Sequence, residues 1–237
     1  MTRRRWIADE VSGSRAALIG PHSDHLSRVL RAEVGQEFDI ATGQVVRRGR
    51  IVKIETGRVE FELGEPVATP EVPRVTLVLS IFKFDRMEWA IEKVTELGVA
   101  RIVPLIARRT ESHLATASVK RVERWRRIAR EAAQQSRRLA PPDISDPMKL
   151  KEAADLPGKL RILLSEEEQE IALKDLSVRS PGAEAALAIG PEGGWTEEEI
   201  ASFRAAGWVS VSLGSTILRA ETAAIAATAV LLSELYS

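Results

Sequence analysis

Two stretches of this 237-residue chain combine glycines with charged side chains in a pattern that can make a ligand site. They are "LAIGPEGGW" at 187–195 and "SLGSTILRAETA" at 212–223. In each, an apolar run breaks into glycine, the residue that admits sharp bends and close approach of main chain to a bound group. Glu192 stands inside the first stretch, and Arg219 and Glu221 close the second. Neither contains GxxxxGK[ST] or GxGxxG, so a phosphate loop is excluded and a nicotinamide or flavin site is weakly supported. Either loop alone is explained as well by turn chemistry. Two glycine loops at neighbouring strand ends, with an arginine beside one, point instead to a site, because open α/β sheets bind ligands beyond the carboxyl ends of their strands.

The elements that must position these loops follow from the surrounding pattern. "RVTLVLS" (74–80) is a continuous apolar strand of the kind buried on both faces. A helix is expected over 85–97, with Asp85 as cap, a stripe of Met87, Ile91, Val94 and Leu97, and Gly98 as terminator. "RIVPLIA" is a second strand, and "SVKRVERWRRIAREAAQQSRRLA" a long helix with Val122, Trp125, Ala129, Ala132, Ser136 and Leu139 at helical spacing. Its other face carries Arg121, Arg124, Arg127, Arg130 and Arg138. "KLRILLS", "EAALAIG" and "WVSVSLG" supply three more strands, Thr196 and Glu199 make a capping box, and a last helix runs over 221–235. Strands alternating with helices predict a mostly parallel α/β sheet over 73–237. Residues 1–70 read differently, as short strands between glycine turns with one helix near 23–33, which suggests a small β-barrel. "GEPVATPEVP", with three prolines in ten residues, is the expected linker.

Composition narrows the class. Hydrophobic content of 44% and charged content of 29% are ordinary for a soluble domain, and the absence of cysteine excludes disulfides and thiolate metal sites. No apolar stretch follows the basic N-terminus and no run spans a bilayer, so a cytoplasmic protein without membrane contact is expected. His22 and His25 are spaced H-x-x-H, but no further ligand signal accompanies them and no metal is expected. Net charge is zero, yet basic residues are in excess over 1–58 and 101–138 and acidic ones over 150–237. That asymmetry is equally a polyanion-binding face or a solvated basic helix.

"GPEGGWTxxE" followed by "LGSTILRAETAA" resembles the knot motifs of the SPOUT methyltransferases, and more narrowly the RsmE family. "HLSRVLRAEVG" (25–35), "KFDRMEWAIEKVTELGVARIVPL" (83–105) and "REAAQQSRRLAPPDI" (130–144) resemble further motifs of that family in the same order. Ser215, Thr216, Gln134 and Trp195 depart from its usual residues. The resemblance implies an α/β SPOUT domain with a deep trefoil knot, preceded by a PUA-like β-barrel, in a homodimer. It implies methyl transfer from S-adenosylmethionine to N3 of a uridine in 16S ribosomal RNA, within the small ribosomal subunit. In that setting Ile189, Gly190, Pro191, Glu192, Gly193, Gly194, Leu213, Gly214, Ile217, Leu218 and Thr222 would hold the cofactor. The glycines would bring main chain to the adenosine, and Ile189, Leu213, Ile217 and Leu218 would sandwich the adenine. Arg219 is the leading catalytic candidate, as a cation for the uracil anion, with Glu221 a weaker candidate base. The alternative for Arg219 is a structural ion pair with Glu221 or Glu192. His25, Arg28 and Arg31, at i, i+3, i+6 of one helix, and Lys83, Arg130 and Arg138 are the RNA-contact candidates. A non-enzymatic RNA-binding protein and a Rossmann oxidoreductase are the competing classes.

Overall fold

The computed structural model describes residues 5–43, 45–68, 73–176 and 184–236. Contacts divide the chain into two units, one of 1–70 with 133–141 and one of 71–132 with 142–237. The split at residue 70 falls inside the proline-rich linker. Residues 133–141, which a division along the sequence leaves with the second unit, group with the first.

The first unit is a six-stranded sheet of β1 (Arg5–Ile7), β2 (Glu10–Ser12), β3 (Arg15–Ile19), β4 (Glu37–Ala41), β5 (Val46–Glu55) and β6 (Arg58–Val67). Their order is β1-β4-β5-β6-β3-β2, with β1 and β2 as its edges. Among the described residues only the β1–β4 pairing of this sheet is parallel. β6 continues through the first residues of the expected linker. Leu18, Leu26, Ile40, Ile51, Val59 and Phe61 form the core. Gly49 is needed beneath Ile40, because a Cβ there would lie 2.3 Å from Ile40 Cγ1.

Between β3 and β4 the helix expected over 23–33 is shorter and of mixed type. α1 (Pro21–Asp24) passes into one π-helical turn, His25–Val29. Leu30 N–H donates to His25 C=O five residues back, and Arg31 follows in the left-handed region with φ 51°. The 3.6-residue period therefore does not reach Arg31. His25, Arg28 and Arg31 do not share one helical face.

In the second unit β7 (Arg74–Ser80), α2 (Phe84–Leu97), β8 (Arg101–Ile106) and α3 (Ser112–Gln135) follow in turn. Three short elements absent from the sequence reading come next, β9 (Asp143–Ile144), β10 (Met148–Lys149) and α4 (Leu150–Ala154). β11 (Leu160–Leu164), a 3-10 turn (Leu173–Asp175), β12 (Glu184–Ile189), α5 (Glu197–Ala205), β13 (Val209–Val211) and α6 (Ala220–Tyr236) complete it. The strand order is β10-β8-β7-β12-β11-β13, with β9 also on β8, and every pairing is parallel.

Alternate side chains of the central strands fill two cores, as a sheet covered on both faces requires. Leu77, Leu79, Leu187 and Ile189 pack with Met87, Ile91 and Val94 of α2, Trp125 of α3, and Ala224, Ala227 and Leu231 of α6. Val78, Val103, Ala186 and Ala188 face Trp195, Phe203 and Trp208.

Several boundaries differ from expectation. Lys83, not Asp85, is the N-cap of α2 and makes no side-chain cap bond; Asp85 lies in the first turn. Leu97 is exposed, so it leaves the buried stripe, and Gly98 ends the helix with φ 119°. α3 begins six residues earlier than read and stops at Gln135. Arg137 adopts φ 58°, while Arg138 N–H donates to Ala133 C=O and Arg137 N–H to Gln134 C=O, a Schellman termination. Ser136 and Leu139 thus fall beyond the helix. Part of the arginine face of α3 is engaged, since Arg121 and Arg124 both reach Glu88 of α2, at 3.1 and 2.8 Å; Arg126, outside that face, donates to Ile144 C=O.

Candidate functional site

The carboxyl ends of β7, β12, β11 and β13 open on one cleft of about 540 Å³ within the second unit. The size suits a small organic ligand.

The loop after β12 is shaped by its glycines and tied to its neighbours. Gly194 N–H donates to Pro191 C=O at 2.9 Å with Gly194 at φ 72°, which closes a tight turn. That φ disfavours any side chain, and a Cβ on Gly194 would stand 2.7 Å from Glu166 Oε1, so the Glu166 carboxylate would have to move aside. A Cβ on Gly190 would approach the Trp195 indole to 3.2 Å, and that indole donates to Leu164 C=O at the end of β11. Gly193 C=O accepts from Arg109 Nη1.

Glu199, buried in the first turn of α5, uses both oxygens. Oε2 accepts from Thr196 N–H at 2.9 Å, the reciprocal half of the expected capping box, and Oε1 from Arg108 N–H at 2.7 Å. One carboxylate therefore fixes the loop after β12 to the loop after β8. Gly190 and Gly193 have local packing partners, whereas Gly214, at φ 133°, has open space where a side chain would stand.

The expected cofactor set largely assembles here. Ile189, Gly190, Pro191, Glu192 and Gly194 line the cleft from one loop, and Leu213, Gly214, Ile217, Leu218 and Arg219 from the other. Ile189 lies in the core, while Ile217 is 83% exposed on the lip. Three expected residues do not line it. Gly193 faces Arg109, Thr222 is exposed on α6, and Glu221 is buried with its side chain 7% exposed.

Arg219 is exposed in the cleft and makes no ion pair among the described residues. The ion pair weighed for it belongs to Arg86, whose Nη1 lies 3.1 Å from Glu192 Oε1 and 3.7 Å from Glu221 Oε1. Lys83 also lines the cleft.

The sequence reading missed Arg86 and the whole end of β11, where Leu164, Ser165, Glu166 and Glu167 line the cleft. The signal was present: "RILLSEEE" is another strand running into a polar loop. Its place beside β12 depends on strand order, which spacing does not reveal.

The remaining RNA candidates fall in both units. Arg130 is half-buried on α3 and does not line the cleft. His25, Arg28, Arg31 and Arg138 belong to the first unit. There His25 packs on the Trp6 ring at 5.8 Å between centroids and Arg28 pairs with Asp24 at 3.4 Å. His22 Nδ1 meets Asp9 at 3.3 Å, and no group of three metal-ligating side chains occurs among the described residues. Among those residues no helix is long and apolar enough to cross a membrane.

Residues 70–232 match the family model described as an RNA methyltransferase domain. The chain is 33% identical over 225 residues to ribosomal RNA small subunit methyltransferase E of Mycobacterium bovis, covering 91% of this chain and 85% of the relative. It is 32% identical to the protein of the same name from Rickettsia conorii, covering 88% and 85%. Among solved structures it is similar to that methyltransferase from Neisseria gonorrhoeae bound to S-adenosyl methionine, with TM-score 0.82, 30% identity and 98% of both chains covered.

Proposed function

The chain belongs to the RNA methyltransferase domain family, alongside the relatives named ribosomal RNA small subunit methyltransferase E, and from that premise we propose that it methylates N3 of a uridine in 16S ribosomal RNA with S-adenosylmethionine as donor. The observation that carries the reading is the convergence of both glycine loops and Arg219 on one cleft at the carboxyl edge of the parallel sheet. The donor fits the residues present. The cleft is large enough, Gly214 leaves open space beside main chain, and Ile217 offers an uncovered apolar face.

S-Adenosylmethionine supplies an electrophilic methyl group on a sulfonium. Transfer breaks the S–CH3 bond, leaves its electron pair on sulfur and forms an N3–CH3 bond, while the N3 proton passes to an acceptor. The chain has two tasks. Alignment of donor and acceptor, a large share of rate acceleration in bimolecular steps, falls to the loops after β12 and β13. Stabilising negative charge on the uracil as N3 loses its proton falls to Arg219, an uncommitted guanidinium in the cleft. Glu221 does not line the cleft, so its carboxylate is a support rather than the proton acceptor.

The finer architecture belongs to the same proposal. We read the first unit, with His25, Arg28, Arg31 and Arg138, as a PUA-like RNA-binding unit, and the second as a SPOUT domain whose C-terminal segment is knotted. The active species is a cytoplasmic homodimer acting on the small ribosomal subunit.

The test is to incubate the protein with labelled S-adenosylmethionine and unmethylated small subunits, then map the methylated nucleoside. N3-methyluridine is the expected product. Label on another nucleotide would make it a ribosomal RNA methyltransferase of different target, and no transfer would overturn the reading.

A further inference from the structure

Arg86, in the first turn of α2, joins two segments distant in sequence. Its Nη1 donates to Glu192 Oε1 at 3.1 Å in the loop after β12, and lies 3.7 Å from Glu221 Oε1 in the first turn of α6. The two carboxylates sit in different surroundings. The Glu192 side chain is 34% exposed and lines the cleft, whereas that of Glu221 is 7% exposed and does not. Glu221 Oε2 is buried without a hydrogen-bond partner among the described residues. A buried carboxylate is strongly unfavourable unless a cation accompanies it. Glu221 therefore holds the Arg86 guanidinium where it is, and the guanidinium so held fixes Glu192. Both contacts are made by Nη1, as a hydrogen bond to Glu192 and a 3.7 Å ion pair with Glu221, which suits the delocalised, permanently charged guanidinium of arginine.

We propose that Arg86 is a positioning residue of the methyl-transfer site: anchored on buried Glu221, it holds Glu192 and the Gly-Pro-Glu-Gly-Gly turn in the conformation that receives the donor. The proposal rests on the reading of the cleft as the S-adenosylmethionine site. Arg86 acts through Glu192 and the loop, and need not touch the reacting atoms. Contact with RNA by the same guanidinium is the competing role, and it predicts a different kinetic signature.

Calorimetric titration with S-adenosylmethionine separates these, using wild type, Arg86→Gln, Arg86→Lys and the double variant Arg86→Gln with Glu221→Gln. Arg86→Gln strands a buried carboxylate and is expected to lower the melting temperature. The double variant removes the buried charge with its partner, so it should melt near wild type and still bind the donor at least about tenfold more weakly, the loss typical of one charge-assisted hydrogen bond. Arg86→Lys should fall between, because one ammonium on a flexible stem replaces the fork imperfectly. The KM for S-adenosylmethionine should rise in the same order. A double variant with wild-type donor affinity would overturn the proposal, as would a defect confined to the KM for RNA. If the wild-type protein itself fails to bind S-adenosylmethionine, the reading of the cleft fails, which is a separate result.

Discussion

At the scale of single residues, the cleft separates side chains that act on a ligand from those that hold the site. Arg219 is exposed, lines the cleft and has no ion pair among the described residues. Glu221, two positions later, is buried against Arg86. Arg219→Ala is therefore expected to cut methylation at least about 100-fold, the scale for removing one donor to a developing anion. Its affinity for S-adenosylmethionine in calorimetry should stay near wild type, and turnover retained in a single-turnover assay would refute the assignment. Gly194 makes the complementary case. At φ 72° any side chain there is strained, and a Cβ would stand 2.7 Å from Glu166 Oε1, so the Glu166 carboxylate would have to shift. Gly194→Ala should cost about 1–2 kcal/mol from backbone conformation alone and weaken donor binding. A melting temperature and a donor affinity both equal to wild type would show that the turn can relax.

At the scale of elements, one carboxylate braces the site. Glu199 accepts from two backbone N–H groups on different loops while buried in α5. Glu199→Ala leaves both donors unsatisfied, and about 3 kcal/mol of stability should go with it, a fall of roughly 6–12 °C in melting temperature for a chain of this size. Glu197→Ala, exposed on the same turn, should cost less than about 1 kcal/mol. The Thr196–Glu199 box could be read from its spacing, because both residues lie within one helical turn. The bond from Arg108 could not: it spans 91 residues and exists only because β8 and β12 end at the same edge of the sheet. The reading of one helical face for His25, Arg28 and Arg31 failed for a local reason, since a π-turn breaks the period they were counted on.

At the scale of the whole molecule, zero net charge conceals segments of opposite sign. Arg121, Arg124 and Arg126 are taken by Glu88 and by main chain, so part of the basic helix is internal bracing. RNA affinity should nonetheless fall steeply with salt as phosphate counterions are released. Reversing charge at Arg28 and Arg31 together should reduce RNA affinity and the salt slope while leaving donor affinity unchanged. Salt-independent binding would count against this surface. In sedimentation the protein should run at twice the 26.1 kDa chain mass, and a monomer that methylates at full rate would refute the dimer.

What the sequence determined by itself was local or carried by motif. β7 and β12 were legible as unbroken apolar runs because strands covered on both faces need them, and α5 because its cap and its stop lie within a few residues of its ends. The two glycine loops were legible because backbone that bends this sharply restricts residue type. Which strand ends meet was a property of the folded sheet. β12 lies between β11, which precedes it in the chain, and β7, from which β8 to β11 separate it in sequence. That order brought Glu166 to Gly194 and Trp195 to Leu164. It also set Arg86 against a glutamate 106 residues away. Such contacts leave no periodicity to read, because a hydrogen bond between distant segments constrains residue type at two isolated positions rather than along a run.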